Sequence, residues 1–476
     1  MKRLRMLFIL CAVLLSWSTR AEVQLPAFIS SGMVLQQQST VRLWGKSDSG
    51  EKVTVTTGWD NKTYSAKPVA NGSWAVKVKT PTAGGPYEIR ISDGTELTLS
   101  NVMIGEVWIA VGQSNMEMTM RGFMSQPVEN SLDLILSSEN EAVRLFMTKR
   151  SASKEPLTVV VGEWKSASVG STPDFSATAY LFARRLQSVL KVPVGVICSA
   201  WGGTSILGWM PEDAINRAIS AEEKAAIIAI NDSAKNHPAI LYNGMIAPIE
   251  GFAARGFLWY QGCHNVSHGE SYARLMRSLI QSWRTKWGNN EMPFYAVELA
   301  PYRYGRDNEK AADRARWVEE VTKMMATTPK TALIPTGDLG DRGCIHPAKK
   351  QQVGDRLAAT ALKNDYGYAS LEPEAPKIVS VAYRDGKAII KTSSPMGPVL
   401  GSLYGFEIAG GNKRFYEARA AVNSRTGEIE VWSDHVPDPI AVRYAFCNYP
   451  ERQNWRNWLG IPALPCRTDN WPIEAK

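Results

Sequence analysis

Between about residues 101 and 365 the chain alternates apolar, strand-like runs with helical patterns, and this alternation limits the fold more than any other feature. The runs are EVWIAVG (106–112), VPVGVICS (192–199), RGFLWYQ (255–261), MPFYAVEL (292–299) and TALIPTG (331–337). Between them, Phe182, Leu186, Val189 and Leu190 recur at the spacing of one helix face, as do Leu275, Leu279 and Trp283. EKAADRARWVEEVTKMM and AKKQQVGDRLAATAL supply two more helices. Strand and helix in alternation predict a parallel sheet wrapped by helices.

The flanking regions follow a different rhythm. In KVTVTT, SWAVKVK and YEIRIS apolar and polar residues alternate, with Asn71-Gly72 and Gly84-Gly85 as turns. IVSVAY and AIIKT flank Asp385-Gly386, a strong hairpin signal, and GEIEVW and IAVRYAF follow. The expected organisation is therefore a β module at 22–100, an α/β domain at 101–370 and a second β region at 371–476.

Residues 1–21 read as a signal peptide: a basic MKRLR, a short apolar MLFILCAVLLSW, and a small residue at Ala21. The apolar run is too short to span a bilayer, and no later segment is long enough. Cys11 lies inside the run, which argues against lipid attachment there. The expectation is an exported, periplasmic protein, with outright secretion as the alternative. Removing this leader takes away Lys2, Arg3, Arg5 and Arg20 and no acid, so the formal charge of +8 falls to 8 − 4 = +4. That balance weakly favours an anionic ligand, and without a Lys/Arg run it gives no support for nucleic acid. Cys198, Cys263, Cys344, Cys447 and Cys466 remain, at no metal-ligand spacing.

Ligands of an open parallel sheet bind at the carboxyl ends of its strands. GQSNM follows the first run, AWGGTS the second, GCHN the third and GDLGDRGCIHP the fifth. Ser114, Gly202, Asn265 and His346 thus each leave a different strand of one sheet. A neutral serine hydroxyl needs a base within reach, and His346 is the candidate. The amides of Ser114 and Gly202 and the side-chain NH2 of Asn265 are candidate donors to an ester oxyanion. The nucleophile elbow of α/β-hydrolases is excluded, because Met116 stands where its last glycine belongs.

These residues resemble the SGNH hydrolase superfamily. More narrowly, MVLQ (33–36), GEVWIAVGQSNMEM, WGGTSILGWM, LYNGMIAP, WYQG, IHPAKKQQVGDRLA and NYPERQNW…LGIPALPCRTDNW resemble the sialate O-acetylesterase family over nearly the whole chain after the leader. The resemblance implies a flavodoxin-like α/β/α core with β-sandwich accessory elements built from both ends. It also implies a carbohydrate esterase that removes O-acetyl groups from sialic acids, 9-O-acetyl first, through an acyl-enzyme. An acetylxylan or other glycan O-acetylesterase is the alternative, and a carbohydrate-binding protein impaired in catalysis a second one. The chemistry calls for no cofactor or metal.

The departures bear on mechanism. The family's W-Y-Q-G-E-S-N becomes W-Y-Q-G-Cys263-His264-Asn265, and the acid expected shortly before the histidine is replaced by Gly343 and Cys344. Two acids that could orient the base are absent. Disulfides Cys263–Cys344 and Cys447–Cys466 are proposed, with Cys198 left as a buried strand thiol. Asp341, Asp338 or a main-chain carbonyl are the alternatives for orienting His346. Gln113, Asn115, Trp201 and Gln261 are candidate sugar-binding residues. Tyr242, Trp209, His264 and His268 are weaker candidates, and Asn243 reads as loop support.

Overall fold

The computed structural model describes residues 23–230, 232–304, 308, 310–397 and 402–473, so the leader at 1–21 lies outside the described residues. The central sheet runs Thr331–Ile334, Phe294–Val297, Gly256–Tyr260, Glu96–Gly112, Val194–Ala200, Asn140–Met147, Trp164–Ala167. Its neighbours are parallel except the last pair. The last two strands were not expected. Asn140–Met147 carries Arg144, a charge that hides the apolar run, yet this side chain is buried, with Nε on the Glu141 carbonyl at 2.7 Å.

Side chains of Glu96–Gly112 alternate between two cores, as the two-residue period of a strand requires. Val107, Ile109 and Val111 pack with Leu275, Leu279 and Trp283 of helix Gly269–Trp287 and with Trp317 and Val321 of helix Asp313–Ala326. Trp108 and Ala110 pack on the opposite face with Phe182 and Leu186 of helix Ala177–Leu190 and Val353 and Leu357 of helix Lys350–Asp365. The result is an α/β/α core. No helix among the described residues is long and apolar enough to cross a membrane.

The strand Glu96–Gly112 also belongs to the amino-terminal region. Its first part pairs antiparallel with Gly84–Ser92, and Met103–Gly105 pair in parallel with Val34–Gln36. The boundary expected at 100/101 therefore falls inside one continuous strand. The MVLQ motif has its physical reason here: the Gln36 side chain accepts from the Val107 amide at 2.9 Å and donates to Glu106 at 3.1 Å.

The carboxyl-terminal region forms two four-stranded antiparallel sheets. Ala388, Ile390 and Val431 from one and Phe406, Ile408 and Val442 from the other share a core with Trp455. The Asp385-Gly386 hairpin is present, with Arg384 paired to Lys387 and both turn residues at positive φ, 50° and 69°. The two end regions belong to separate hydrophobic clusters. Val55, Ile89 and Ile91 of the amino-terminal strands belong to the cluster that includes Trp283 and Trp317, whereas the carboxyl-terminal cluster is separate. Asn448 joins this last region to the α/β core, its amide donating to Ala311 O at 2.7 Å and its side-chain oxygen accepting from the Arg314 amide at 2.9 Å.

Candidate active site

The strand ending at Gly112 delivers Ser114 to the first position of a single helical turn, Ser114–Glu117. Gly112 is required by close approach, because a Cβ there would lie 2.2 Å from the Tyr260 carbonyl oxygen. Ser114 Oγ lies 2.7 Å from His346 Nε2. Two residues 232 positions apart in sequence thus meet over one end of the sheet.

Among the described residues no carboxylate hydrogen-bonds the imidazole. His346 Nδ1 faces Gln126 Oε1 at 2.5 Å. With Nδ1–H donating to that amide oxygen, Nε2 is left to accept the serine proton. Gln126 sits in a tight turn closed by reciprocal backbone bonds with Phe123, whose ring meets the imidazole edge-on at 5.2 Å. Asp341, expected as the orienter, is exposed, and its carboxylate accepts from the Gly343 and Cys344 amides at 2.7 and 3.0 Å. It shapes the turn of the histidine loop. Asp338 pairs with Arg356 at 2.7 Å.

Burial, and then the charge of Lys350, push the His346 pKa down to about 4. The base is therefore neutral at pH 7. Lys350 is itself fully buried, and burial lowers its pKa to about 7. Its Nζ donates to Asn115 Oδ1 at 2.5 Å, and the Asn115 side chain donates to Ile345 O at 3.1 Å. These bonds tie the turn after Ser114 to the loop before His346.

Asn265 is buried, and its Oδ1 accepts from the Ile206 amide at 3.1 Å and Gln261 Nε2 at 2.9 Å. That fixes the amide plane. Nδ2 donates to Ser205 Oγ at 3.3 Å, which uses one of its two protons. The Ser114 amide, at a helix start, has no intrahelical acceptor. The Gly202 amide differs from expectation: it donates to Glu117 Oε2 at 2.8 Å, and Glu117 Oε1 accepts from Arg150 Nε at 2.6 Å. Gly202 still lies against the nucleophile, since a Cβ there would be 3.2 Å from the Ser114 Cβ.

Three of the four expected sugar contacts are corrected. Gln113, Asn115 and Gln261 are buried and hydrogen-bond neighbouring loops, with Gln261 Oε1 left without a partner. Gln113 Oε1 accepts from the Gly262 amide at 2.9 Å, and Gln261 Nε2 donates to Thr204 O at 2.9 Å besides holding Asn265. Trp201 is half-buried beside Gly202, with the Arg150 guanidinium 5.6 Å from its ring centre. Among the weaker candidates, Trp209 is core, and Tyr242 donates to Glu250. Asn243 supports its loop by donating to Lys154 O at 2.7 Å.

No disulfide joins Cys263 to Cys344 or Cys447 to Cys466. Cys263 Sγ turns to the Tyr304 hydroxyl at 3.8 Å, while Cys344 Sγ donates to the His346 carbonyl at 3.2 Å. Cys466 sits on a strand paired with Tyr444 and packs into the carboxyl-terminal core. Cys198 is the buried strand thiol expected, and burial pushes its pKa up to about 12. No group of three or more His, Cys, Asp or Glu side chains among the described residues has the geometry to hold a metal ion.

The model of the family described as carbohydrate esterase, sialic acid-specific acetylesterase matches residues 104–363, more than half of the chain. The chain belongs to that family. The esterase is 28% identical to the sialate O-acetylesterase of Rattus norvegicus over 409 residues, which covers 74% of this chain and 75% of the relative. It is 27% identical to that of Homo sapiens over 399 residues, 76% of this chain and 75% of the relative. A solved carbohydrate acetylesterase from Xanthomonas citri superposes with a TM-score of 0.85 at 32% identity, covering 94% of this chain and 100% of that one. The esterase is thus a hydrolase acting on carbohydrate esters. Sequence reasoning missed Gln126, Glu117, Arg150 and Lys350. Only Lys350 had a visible signal, a lysine at the buried spacing of a helix that follows the histidine.

Proposed function

We propose that this esterase removes O-acetyl groups from sialic acids, 9-O-acetyl first, by a serine acyl-enzyme mechanism. The observation that carries the reading is the 2.7 Å contact between Ser114 Oγ and His346 Nε2 at the carboxyl end of the parallel sheet. His346 takes the serine proton as Oγ bonds to the acetyl carbon. The tetrahedral oxyanion is held by the Ser114 amide and the free N–H of Asn265 Nδ2, two donors aimed before charge develops. The carbon–oxygen bond to the sugar then breaks, and His346 returns its proton to the departing hydroxyl. Water repeats the sequence on the acetyl-serine, releasing acetate and the serine hydroxyl. Gln126 holds the imidazole in the tautomer that this cycle needs. Gly202 contributes close approach, and its amide joins the oxyanion site only when Glu117 releases it.

A second reading, hydrolysis of acetylated xylan or another glycan, is supported by the solved relative, whose description as a carbohydrate acetylesterase names no sugar. The basic leader supports export to the periplasm as the setting. With 4-nitrophenyl acetate, Ser114→Ala is expected to lose activity by a factor on the order of 10⁴ or more, as for other removed nucleophiles. Equal rates for the two proteins would remove the mechanism. Acetate release from 9-O-acetylated sialic acid against acetylated xylan decides the sugar: the first is expected to be faster, and the reverse would favour the second reading.

A further inference from the structure

The charges around Ser114 do not balance. Glu117 is matched by Arg150 at 2.6 Å. Lys235 has no such match: its Nζ donates to the Gly202 carbonyl at 2.7 Å, and no carboxylate among the described residues pairs with it. The ammonium also stands 3.2 Å from where a Cβ of Gly203 would be, so it covers the Gly202-Gly203 turn directly beside the nucleophile. This placement is built into the loop. Asn236, the next residue, is fully buried and accepts from the Ser205 amide at 2.9 Å, which pins the short helical turn Ala234–Asn236 to the GGTS segment.

A second, independent observation lies on the asparagine loop. His264 Nε2 is buried and has no hydrogen-bond partner. A buried ring nitrogen without a partner costs free energy unless something fills the place. Asn236 and Asn265, the residues that follow Lys235 and His264, both bond Ser205, at 2.9 and 3.3 Å, so the two loops lie against one another. The charge of Lys235 is, after burial, among the causes that lower the His264 pKa. His264 also stands where the family resemblance leads one to expect a serine, and Cys263 where it leads one to expect a glutamate.

We infer that Lys235 and His264 form an anion subsite beside Ser114 that takes the carboxylate of an acidic acetylated sugar. The inference rests on the esterase reading above and deepens it, because it names the sugar group that the site selects. A carboxylate there accepts from the ammonium and from the N–H of His264. A charge-assisted bond of this kind discriminates strongly against a neutral ester of the same shape. Acetylated neutral glycans gain nothing from the subsite.

The test compares 9-O-acetyl-N-acetylneuraminic acid with its C1 methyl ester, first as ligands of Ser114→Ala by calorimetry and then as substrates of the wild type. The acid is expected to bind and react roughly tenfold better, the scale of one hydrogen bond to a charged group. Lys235→Met is expected to bring the ratio close to one, and Lys235→Arg to keep most of it. Turnover of 4-nitrophenyl acetate, which carries no carboxylate, is expected to fall less in Lys235→Met than turnover of the acid. Equal binding of acid and ester by the Ser114→Ala protein overturns the subsite whether or not Lys235→Met folds. An unchanged ratio in Lys235→Met overturns the role of that residue. Selective binding without turnover by the wild type leaves the subsite standing and removes the esterase mechanism instead.

Discussion

Glu106 and Ser114 lie eight positions apart on one strand and the turn that follows it, yet their surroundings handle buried charge in opposite ways. Glu106 is fully buried and completely matched: Arg255 binds it through two nitrogens at 2.9 and 3.0 Å, Gln36 and Gln37 donate at 3.1 and 2.7 Å, and the Tyr366 hydroxyl at 2.7 Å. Burial alone would raise its pKa, but the Arg255 bonds and charge outweigh it and hold the carboxyl below its usual range. Around Ser114, Glu117 is paired with Arg150, but three other groups are left unmatched. His346 has an amide where a carboxylate would serve, Lys350 is buried with an amide as its hydrogen-bond acceptor, and Lys235 holds only a carbonyl. One end of the strand ties the amino-terminal strands to the core, and the other keeps ionisable groups poised for chemistry.

The comparison breaks most severely at Glu106. Glu106→Ala strands a half-exposed guanidinium and empties a four-partner site, so it is expected to cost about 3 kcal/mol of stability, toward the low end for breaking a buried ion pair. Denaturant unfolding measures this. The folded fraction is expected to hydrolyse 4-nitrophenyl acetate at close to the wild-type rate, because Glu106 touches nothing near Ser114. A large loss of kcat with unchanged stability would erase the distinction between the two ends.

At Gln126 the pattern inverts. Gln126→Ala removes the acceptor for His346 Nδ1 and is expected to lower kcat by about 10- to 100-fold, the scale on which outer hydrogen-bond partners tune a working side chain. Its stability is expected to stay close to wild type. Gln126→Glu supplies the missing carboxylate. The added charge favours the imidazolium, so the acid limb of kcat/KM is expected to move up by about 1–2 pH units. An acid limb that stays in place would mean that position 126 does not govern the base.

The sequence made the periodic parts of the protein, and the residues that directly follow them, easier to read than the aperiodic loops. Five core strands were legible as continuous apolar runs, the inner ones buried on both faces, and four helices because their apolar residues keep a period of 3.6. Ser114, Gly202, Asn265 and His346 were legible because each follows one of those strands. Asn140–Met147 escaped because Arg144 interrupts its apolar run, although its guanidinium bonds locally and stays buried. Gln126 escaped for a different reason: it follows no strand, and a polar loop residue carries no period. The cysteine pairings failed because proximity of two loops does not fix which way a thiol points, and Cys263 and Cys344 turn to different oxygens. Asp341 was close in sequence to His346 but is engaged by the amides of its own turn.

The most direct test of the account is peptide-mapped labelling with a serine-directed organophosphonate, followed by mass spectrometry across the pH range. The hydroxyl of Ser114 should carry the adduct, and the labelling rate should hold from pH 7 to 5 and fall only toward the His346 pKa of about 4. Because this pKa is lowered, the neutral base persists above it and is lost as pH drops through it. An adduct on another residue, or a labelling rate already halved near the ordinary histidine pKa of about 6.5, would contradict the account.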